Sequence, residues 1–152
     1  MPDIDPSEVE ARLGRLTEVC RENGLRMTHQ RLEVFREVAS TGEHPDADTI
    51  FRRVRKRLTT ISHDTVYRTL ASLEEMGLVS RVDPIGGRAR YDANGDTHHH
   101  FICTKCGSIS DIYLNDEPTL PDGIEALGSA ESLHVQVRGV CHTCNPTMRN
   151  KP

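Results

Sequence analysis

The chain has 152 residues, enough for one ordinary domain or two small ones. Hydrophobic residues make up 36%, charged residues 28%, and there is no Trp, so the cores are modest and no apolar run approaches membrane-spanning length. The opening Met-Pro-Asp-Ile-Asp lacks the basic and apolar regions of a signal peptide, so a cytoplasmic chain with no membrane partner is expected.

The net charge is −4, but it is unevenly spread. From Arg26 to Arg90 there are 12 Lys and Arg against 9 Asp and Glu, a balance of +3. From Ala93 onward there are 4 against 7, a balance of −3. The basic excess includes Arg52, Arg53, Arg55, Lys56 and Arg57. Such a run is usually a solvated helix face and indicates nucleic acid only in combination with other features.

In chain order, Asp5-Pro6-Ser7-Glu8 reads as a helix start: a cap, a proline at the first helical position, and an acid three residues after the cap. Val9, Leu13, Leu16, Val19 and Cys20 repeat at helical spacing, and Gly24 ends the helix. Cys20 is expected in the core. Thr28 caps a second helix with Leu32, Phe35, Val38 and Ala39 inward, stopped at Gly42. A third helix starts near Asp46 and carries Ile50, Val54 and Leu58. Ser62 caps a fourth, His63 to Met76, with Gly77 as its stop. Val66, Leu70 and Leu73 form its inward stripe, leaving His63, Tyr67, Arg68 and Ser72 on the opposite face. Two short strands follow, Leu78–Val82 and Arg88–Asp92, joined by Asp83-Pro84-Ile85-Gly86-Gly87.

Helices followed by a β-hairpin describe a winged helix. The fourth helix would then enter the major groove, with Arg88 and Arg90 of the wing near phosphates. A plain helical bundle has the same apolar pattern; the exposed Tyr-Arg pair and the basic hairpin favour DNA. Ala93-Asn94-Gly95-Asp96 is a turn-rich junction, giving a DNA-binding domain over 1–92 and a second domain over 93–152.

The second domain opens on Thr97-His98-His99-His100-Phe101-Ile102-Cys103-Thr104-Lys105-Cys106-Gly107. Cys103 and Cys106 form one CxxC pair, Cys141 and Cys144 another, with 34 residues between Cys106 and Cys141. Two such pairs signal a closed zinc site of four thiolates. Disulfides or a redox pair are the alternatives; a reducing compartment favours metal. Thr97–Ile102 and Ser108–Leu114 read as strands flanking the first pair. Side chains alternate along a strand, so His98 and His100 share a face and His99 takes the other. Asp111 can approach that His pair, giving a second metal site of two imidazoles and a carboxylate. Asn115–Asp122 reads as a loop, Gly123–Ala130 as a short helix, Glu131–Arg138 as a strand, and Asn145–Pro152 as a disordered tail.

From about Leu25 to Cys144 the chain resembles the Fur family of metal-dependent repressors, most closely its peroxide-sensing PerR branch. The marks are Arg26-Met27-Thr28-His29-Gln30-Arg31, His44-Pro45 with Asp46–Phe51, Thr65-Val66-Tyr67-Arg68-Thr69-Leu70, the His98-to-Gly107 segment, and Gly139-x-Cys141-x-x-Cys144. The resemblance implies an α+β chain: a winged-helix DNA-binding domain joined to a small α/β dimerisation domain. Cys103, Cys106, Cys141 and Cys144 would hold a structural zinc. The family's regulatory site maps onto His44, Asp92, His98, His100 and Asp111. Many other members carry Glu where Asp111 stands, and often where Asp92 stands, which selects the peroxide branch. There are departures: His29 replaces a common Pro, and Arg68 stands where some peroxide sensors have Asn. The segment Leu133-His134-Val135-Gln136 supplies a single His, which leaves a third metal site near His134 open.

Three imidazoles and two carboxylates without a thiolate suit Fe(II) or Mn(II). Drawn from both domains, they would clamp the two together, whereas the metal-free junction at Ala93–Asp96 should allow rotation. In a homodimer that rotation would change the spacing of two recognition helices on a palindromic DNA operator. Switching from mostly off to mostly on needs roughly 5 kcal/mol of differential affinity. By resemblance, Fe(II) and hydrogen peroxide oxidise His44 or His98 and release the repressor, whereas Mn(II) supports binding without oxidation. A plain iron or zinc uptake regulator is the alternative. For a zinc hydrolase the sequence shows no HExxH or comparable motif, a thiol oxidoreductase would be excluded by zinc occupancy of both CxxC pairs, and neither an enzyme nor a small organic substrate is expected.

Overall fold

The computed structural model describes residues 4–84, 86–145 and 147. Most of the tail expected to be disordered, and Ile85 of the hairpin turn, lie outside the described residues. The chain divides into two compact units, residues 1–95 and 96–152. No helix among the described residues is long and apolar enough to cross a membrane.

The first unit begins with four helices, each started by a side-chain cap. In α1, Pro6–Glu22, the Asp5 carboxylate accepts the Ser7 N–H at 2.8 Å. In α2, His29–Ala39, the Thr28 hydroxyl accepts from the Arg31 N–H at 3.1 Å. Asp46 caps α3, Ala47–Arg55, through the Thr49 N–H at 2.8 Å, and Ser62 caps α4, His63–Glu75, through the Thr65 N–H at 3.1 Å. These caps satisfy donors that a helix start leaves without partners. Helix α3 is shorter than its apolar pattern suggests: Leu58 packs on the core from beyond the helix end. Gly77 closes α4 in the left-handed region, φ 69°, donating to the Glu74 carbonyl at 2.9 Å.

Leu16, Cys20, Val34, Phe35, Ile50, Val54, Val66, Leu70 and Leu73 make one buried cluster across the four helices. Leu78 and Val79, expected in a strand, are instead buried residues of the helix exit, so β1 spans only Ser80–Val82. It pairs antiparallel with β2, Arg90–Asp92, matching Ser80 to Asp92 and Val82 to Arg90. Four helices followed by a two-stranded hairpin is the winged-helix order.

The second unit is a three-stranded sheet in the order β4-β3-β5, from β3 (His99–Cys103), β4 (Ile109–Ile112) and β5 (Gln136–Gly139). Strands β3 and β4 are antiparallel, whereas β5 runs parallel to β3. Among its described residues the buried apolar side chains are few, Ile102, Cys103 and Ile109, which suits a unit stapled by a metal. The helix expected over Gly123–Ala130 is a single 3-10 turn, Ile124–Ala126. Leu127 beside it is exposed, so no apolar face drives a longer helix. Strand β5 starts at Gln136, later than expected, because the Val135 N–H leaves the ladder and donates to His99 Nδ1 at 3.1 Å.

Candidate functional site

The four cysteines are brought together by two short knuckles. Gly107, at φ 73°, turns the chain after the first pair and donates its N–H to the Cys103 carbonyl at 2.9 Å. The second pair follows β5, which Thr104 ties to the first knuckle by donating its N–H to the Gly139 carbonyl at 2.8 Å. One Sγ from each cysteine lies within 4.8 Å of every other, and Cys106 Sγ sits 3.7 Å from Cys141 Sγ. Thiolates around one tetrahedral zinc lie about 3.8 Å apart, given Zn–S bonds of about 2.3 Å. All four cysteines are free thiols, which sets the disulfide reading aside. The backbone N–H groups of Cys106 and Cys141 point at Cys103 Sγ and lower its pKa to about 6. Cys144 is pushed up to about 12, first by its hydrogen bond with Cys141 and then by Cys106. Four crowded thiols resist full ionisation unless a cation joins them, which is the electrostatic signature of a metal site.

His98, immediately before β3, and His100, within it, face the same side, as alternation along an extended chain requires. Their Nε2 atoms are 3.2 Å apart, and Asp111 Oδ1 lies 3.5 Å and 3.6 Å from them. The register explains the approach, because Asp111 on β4 is the direct cross-strand partner of His100. His98 donates its Nδ1–H to the Asp96 carbonyl at 2.7 Å, which places the lone pair on Nε2, towards the other two side chains. Separations of this size are those of ligand atoms sharing one ion, about 3–3.5 Å. The middle histidine, His99, is turned away and is spent on the Val135 N–H. His134 is exposed, and it joins no metal-binding cluster among the described residues.

The other two predicted ligands form a pair within the first unit. His44 Nε2 lies 3.4 Å from Asp92 Oδ2, and the two side chains are only 2% and 6% exposed. His44 is the one non-glycine residue with a left-handed backbone among those described, φ 54°. A buried, strained histidine facing a carboxylate is where a functional constraint is expected. The loop that carries it is gripped by β2. The Tyr91 N–H donates to the Pro45 carbonyl at 3.0 Å, while Arg90 donates to the carbonyls of His44 and, at 2.9 Å, of Glu43. Arg90, expected near phosphates, is thus half-buried and occupied with the His44 loop. Arg88 of the wing stands at the surface, 71% exposed.

On α4, Tyr67 and Arg68 are exposed as the helical period predicts, and Ser72 is half-buried on the same side. Arg68 pairs with Asp64 at 3.0 Å, one turn back. His63 stacks on Tyr67 with ring centroids 5.1 Å apart and meets Phe51 of α3 at 4.6 Å. The basic run of α3 contributes less charge than its composition suggests. Arg53 is held by Glu37 and Glu43, and Arg57 by Glu33 and Glu37 at 2.8 Å and 2.9 Å. One residue that sequence patterns did not single out is Asp48 at the start of α3, and Arg90, expected to meet phosphates, serves instead as a loop clamp. The partners of Asp48, His63 at 2.8 Å and Arg88, lie far along the chain, so no local signal points to it.

The signature of the ferric uptake regulator family matches residues 22–136, most of the chain. The protein belongs to the ferric uptake regulator family. Among its relatives is the ferric uptake regulation protein 1 of Mycolicibacterium fortuitum, 43% identical over 68% of this chain and 66% of that protein. The peroxide-responsive repressor PerR of Staphylococcus epidermidis is 29% identical over 82% of this chain and 84% of its own length. Among solved structures, the Helicobacter pylori ferric uptake regulator Fur, described with three functional metal binding sites, is 25% identical with a TM-score of 0.69. That likeness covers 95% of this chain and 97% of the other. The family's members are transcriptional regulators and not enzymes, and both its ferric and its peroxide branches are represented among these relatives.

Proposed function

We propose that this member of the ferric uptake regulator family is a dimeric repressor that binds a palindromic operator when loaded with Fe(II) or Mn(II), and that leaves it on exposure to hydrogen peroxide. Family membership makes the chain a metal-responsive transcriptional regulator. The first unit is its DNA-binding domain, reading bases with Tyr67 and Arg68 beside His63 and Ser72 and meeting phosphates with Arg88. The second unit pairs with that of another copy and holds a structural zinc on Cys103, Cys106, Cys141 and Cys144. The regulatory ion takes His44 and Asp92 from the first unit and His98, His100 and Asp111 from the second. A regulator that binds chromosomal DNA in this way acts in the cytoplasm.

The observation that carries the reading is the donor set: a buried His–Asp pair in one unit and a His–His–Asp triad in the other, with nitrogen and oxygen donors and no thiolate. Such a set suits Fe(II) and Mn(II) better than a thiolate site does. Both carboxylates are Asp, as in the peroxide branch. Fe(II), when bound, supplies the electrons that cleave the O–O bond of hydrogen peroxide, and His44 and His98 are the ligands proposed to take up one oxygen atom. His98 turns one nitrogen to Asp96, leaving the other for the ion, so oxidation of its ring would weaken that hold on the metal.

Substitution of His44 tests the clamp. His44→Ala keeps its zinc and its dimer but loses Mn(II)-dependent operator binding, read by fluorescence anisotropy against metal concentration. A His44→Ala protein that still responds to Mn(II) as wild type does would remove the first unit from the regulatory site.

A further inference from the structure

The wing offers the Arg88 cation and the recognition helix the His63 imidazole to the surface where DNA is read, and one carboxylate from a third element holds both. Asp48 lies in the first turn of α3. Its Oδ1 is 2.8 Å from His63 Nε2, at the start of α4, and its Oδ2 accepts from Arg88 Nη1, in the wing. Asp46 adds a second negative charge, 3.9 Å from the same Arg88 nitrogen. Between them lies an open groove of about 380 Å³, lined by Asp46, Asp48, Tyr67, Arg88 and Tyr91. The His63 ring is fixed from three sides, by Phe51, by Tyr67 and by Asp48.

From this juxtaposition we infer that Asp48 is a specificity-determining residue: an internal substitute for a DNA phosphate that keeps Arg88 neutralised and the His63 ring occupied until a correct site displaces it. The inference rests on the DNA-binding reading above. Non-specific binding depends almost wholly on cations that replace counterions along the phosphate backbone. A cation already paired with a carboxylate releases nothing new unless the phosphate outcompetes its partner. Asp48 thereby suppresses binding to arbitrary sequence. At an operator, base contacts from Tyr67 and Arg68 hold the helix deep in the groove, where a phosphate can take over Arg88 and the His63 N–H. An ion pair as exposed as that of Asp48 with Arg88 adds little to stability, so the exchange is open to competition and the carboxylate is not needed as a strut. One residue then widens the gap between specific and random DNA, the quantity that matters among many competing sites.

Asp48→Asn keeps the shape and removes the charge; Asp48→Ser, which a helix start also accepts, guards against a variant that misfolds. Each is compared with wild type as the full-length, Mn(II)-loaded protein, on a random-sequence duplex and on an operator selected by the wild type from a random pool. On the random duplex both variants bind about tenfold tighter at low salt. Their plot of log affinity against log salt steepens by about 1, the value for one added phosphate contact by Arg88. Operator affinity rises less, so discrimination falls. Adding Arg88→Gln to Asp48→Asn cancels most of the gain, whereas Arg88→Gln alone costs little on random DNA. An unchanged or shallower slope in both variants overturns the inference. Tyr67→Ala and Arg68→Ala, run alongside, separate this from the reading beneath it. If they leave operator binding intact, the DNA face is elsewhere and both fall; if they weaken it while the Asp48 variants behave as wild type, only the role of Asp48 falls.

Discussion

His44 holds a left-handed backbone that a side chain other than glycine adopts at a cost of about 1 kcal/mol or more. What offsets it is local: the Arg90 guanidinium donating to the carbonyls of His44 and Glu43, and β2 hydrogen-bonded to Pro45. A residue that orients a metal ligand typically changes affinity about 10–100-fold when lost. Arg90→Gln is therefore expected to weaken regulatory Mn(II) binding about tenfold, measured by calorimetry, while zinc content stays at wild type. Equal Mn(II) affinity would show that the loop holds itself. Asp111 is the second residue on which much depends. Glu supplies the same charge and oxygens with one more methylene, so Asp111→Glu is expected to keep Fe(II)- and Mn(II)-dependent operator binding. The longer arm changes how the carboxylate sits beside His98 and His100. Peroxide release is therefore expected to be lost, and an operator complex of the variant that still dissociates in peroxide would contradict this.

At the level of elements, the knuckle is expected to set the stability of the second unit. Few apolar side chains are buried there, and the two CxxC pairs join the end of β3 to the end of β5. Structural zinc supplies on the order of 10 kcal/mol to such small folds. Cys103→Ser is expected to lose zinc and the dimer together, checked by metal analysis and sedimentation; a metal-free dimer that melts like wild type would contradict it. The helices of the first unit were legible because capping residues and 3.6-residue periodicity are local properties. The placement of His98, His100 and Asp111 followed from strand alternation and a short hairpin connection. Less legible were features joining distant positions. The parallel pairing of β5 with β3 depends on Thr104, Gly139 and His99, which no periodicity links. The occupation of Arg53 and Arg57 by Glu33, Glu37 and Glu43 depends on how α2 packs on α3, so composition alone overstated the basic face. Arg90 read as a wing cation for the same reason.

For the whole molecule, two units carry one function only if a single event acts on both. The regulatory ion is proposed as that event, with a ligand pair from one unit and a triad from the other. Its removal by oxidation would return the chain to a form without operator affinity. The most direct test loads the wild-type protein with Fe(II) or with Mn(II), binds it to its operator, adds hydrogen peroxide, and follows release together with the mass of the peptides containing His44 and His98. The account predicts that the Fe(II) protein leaves the operator and gains one oxygen atom on one of those peptides, while the Mn(II) protein stays bound and unmodified. An Fe(II) protein that keeps both its operator and its unmodified histidines through peroxide would contradict it, leaving a metal regulator of the same family that does not sense peroxide.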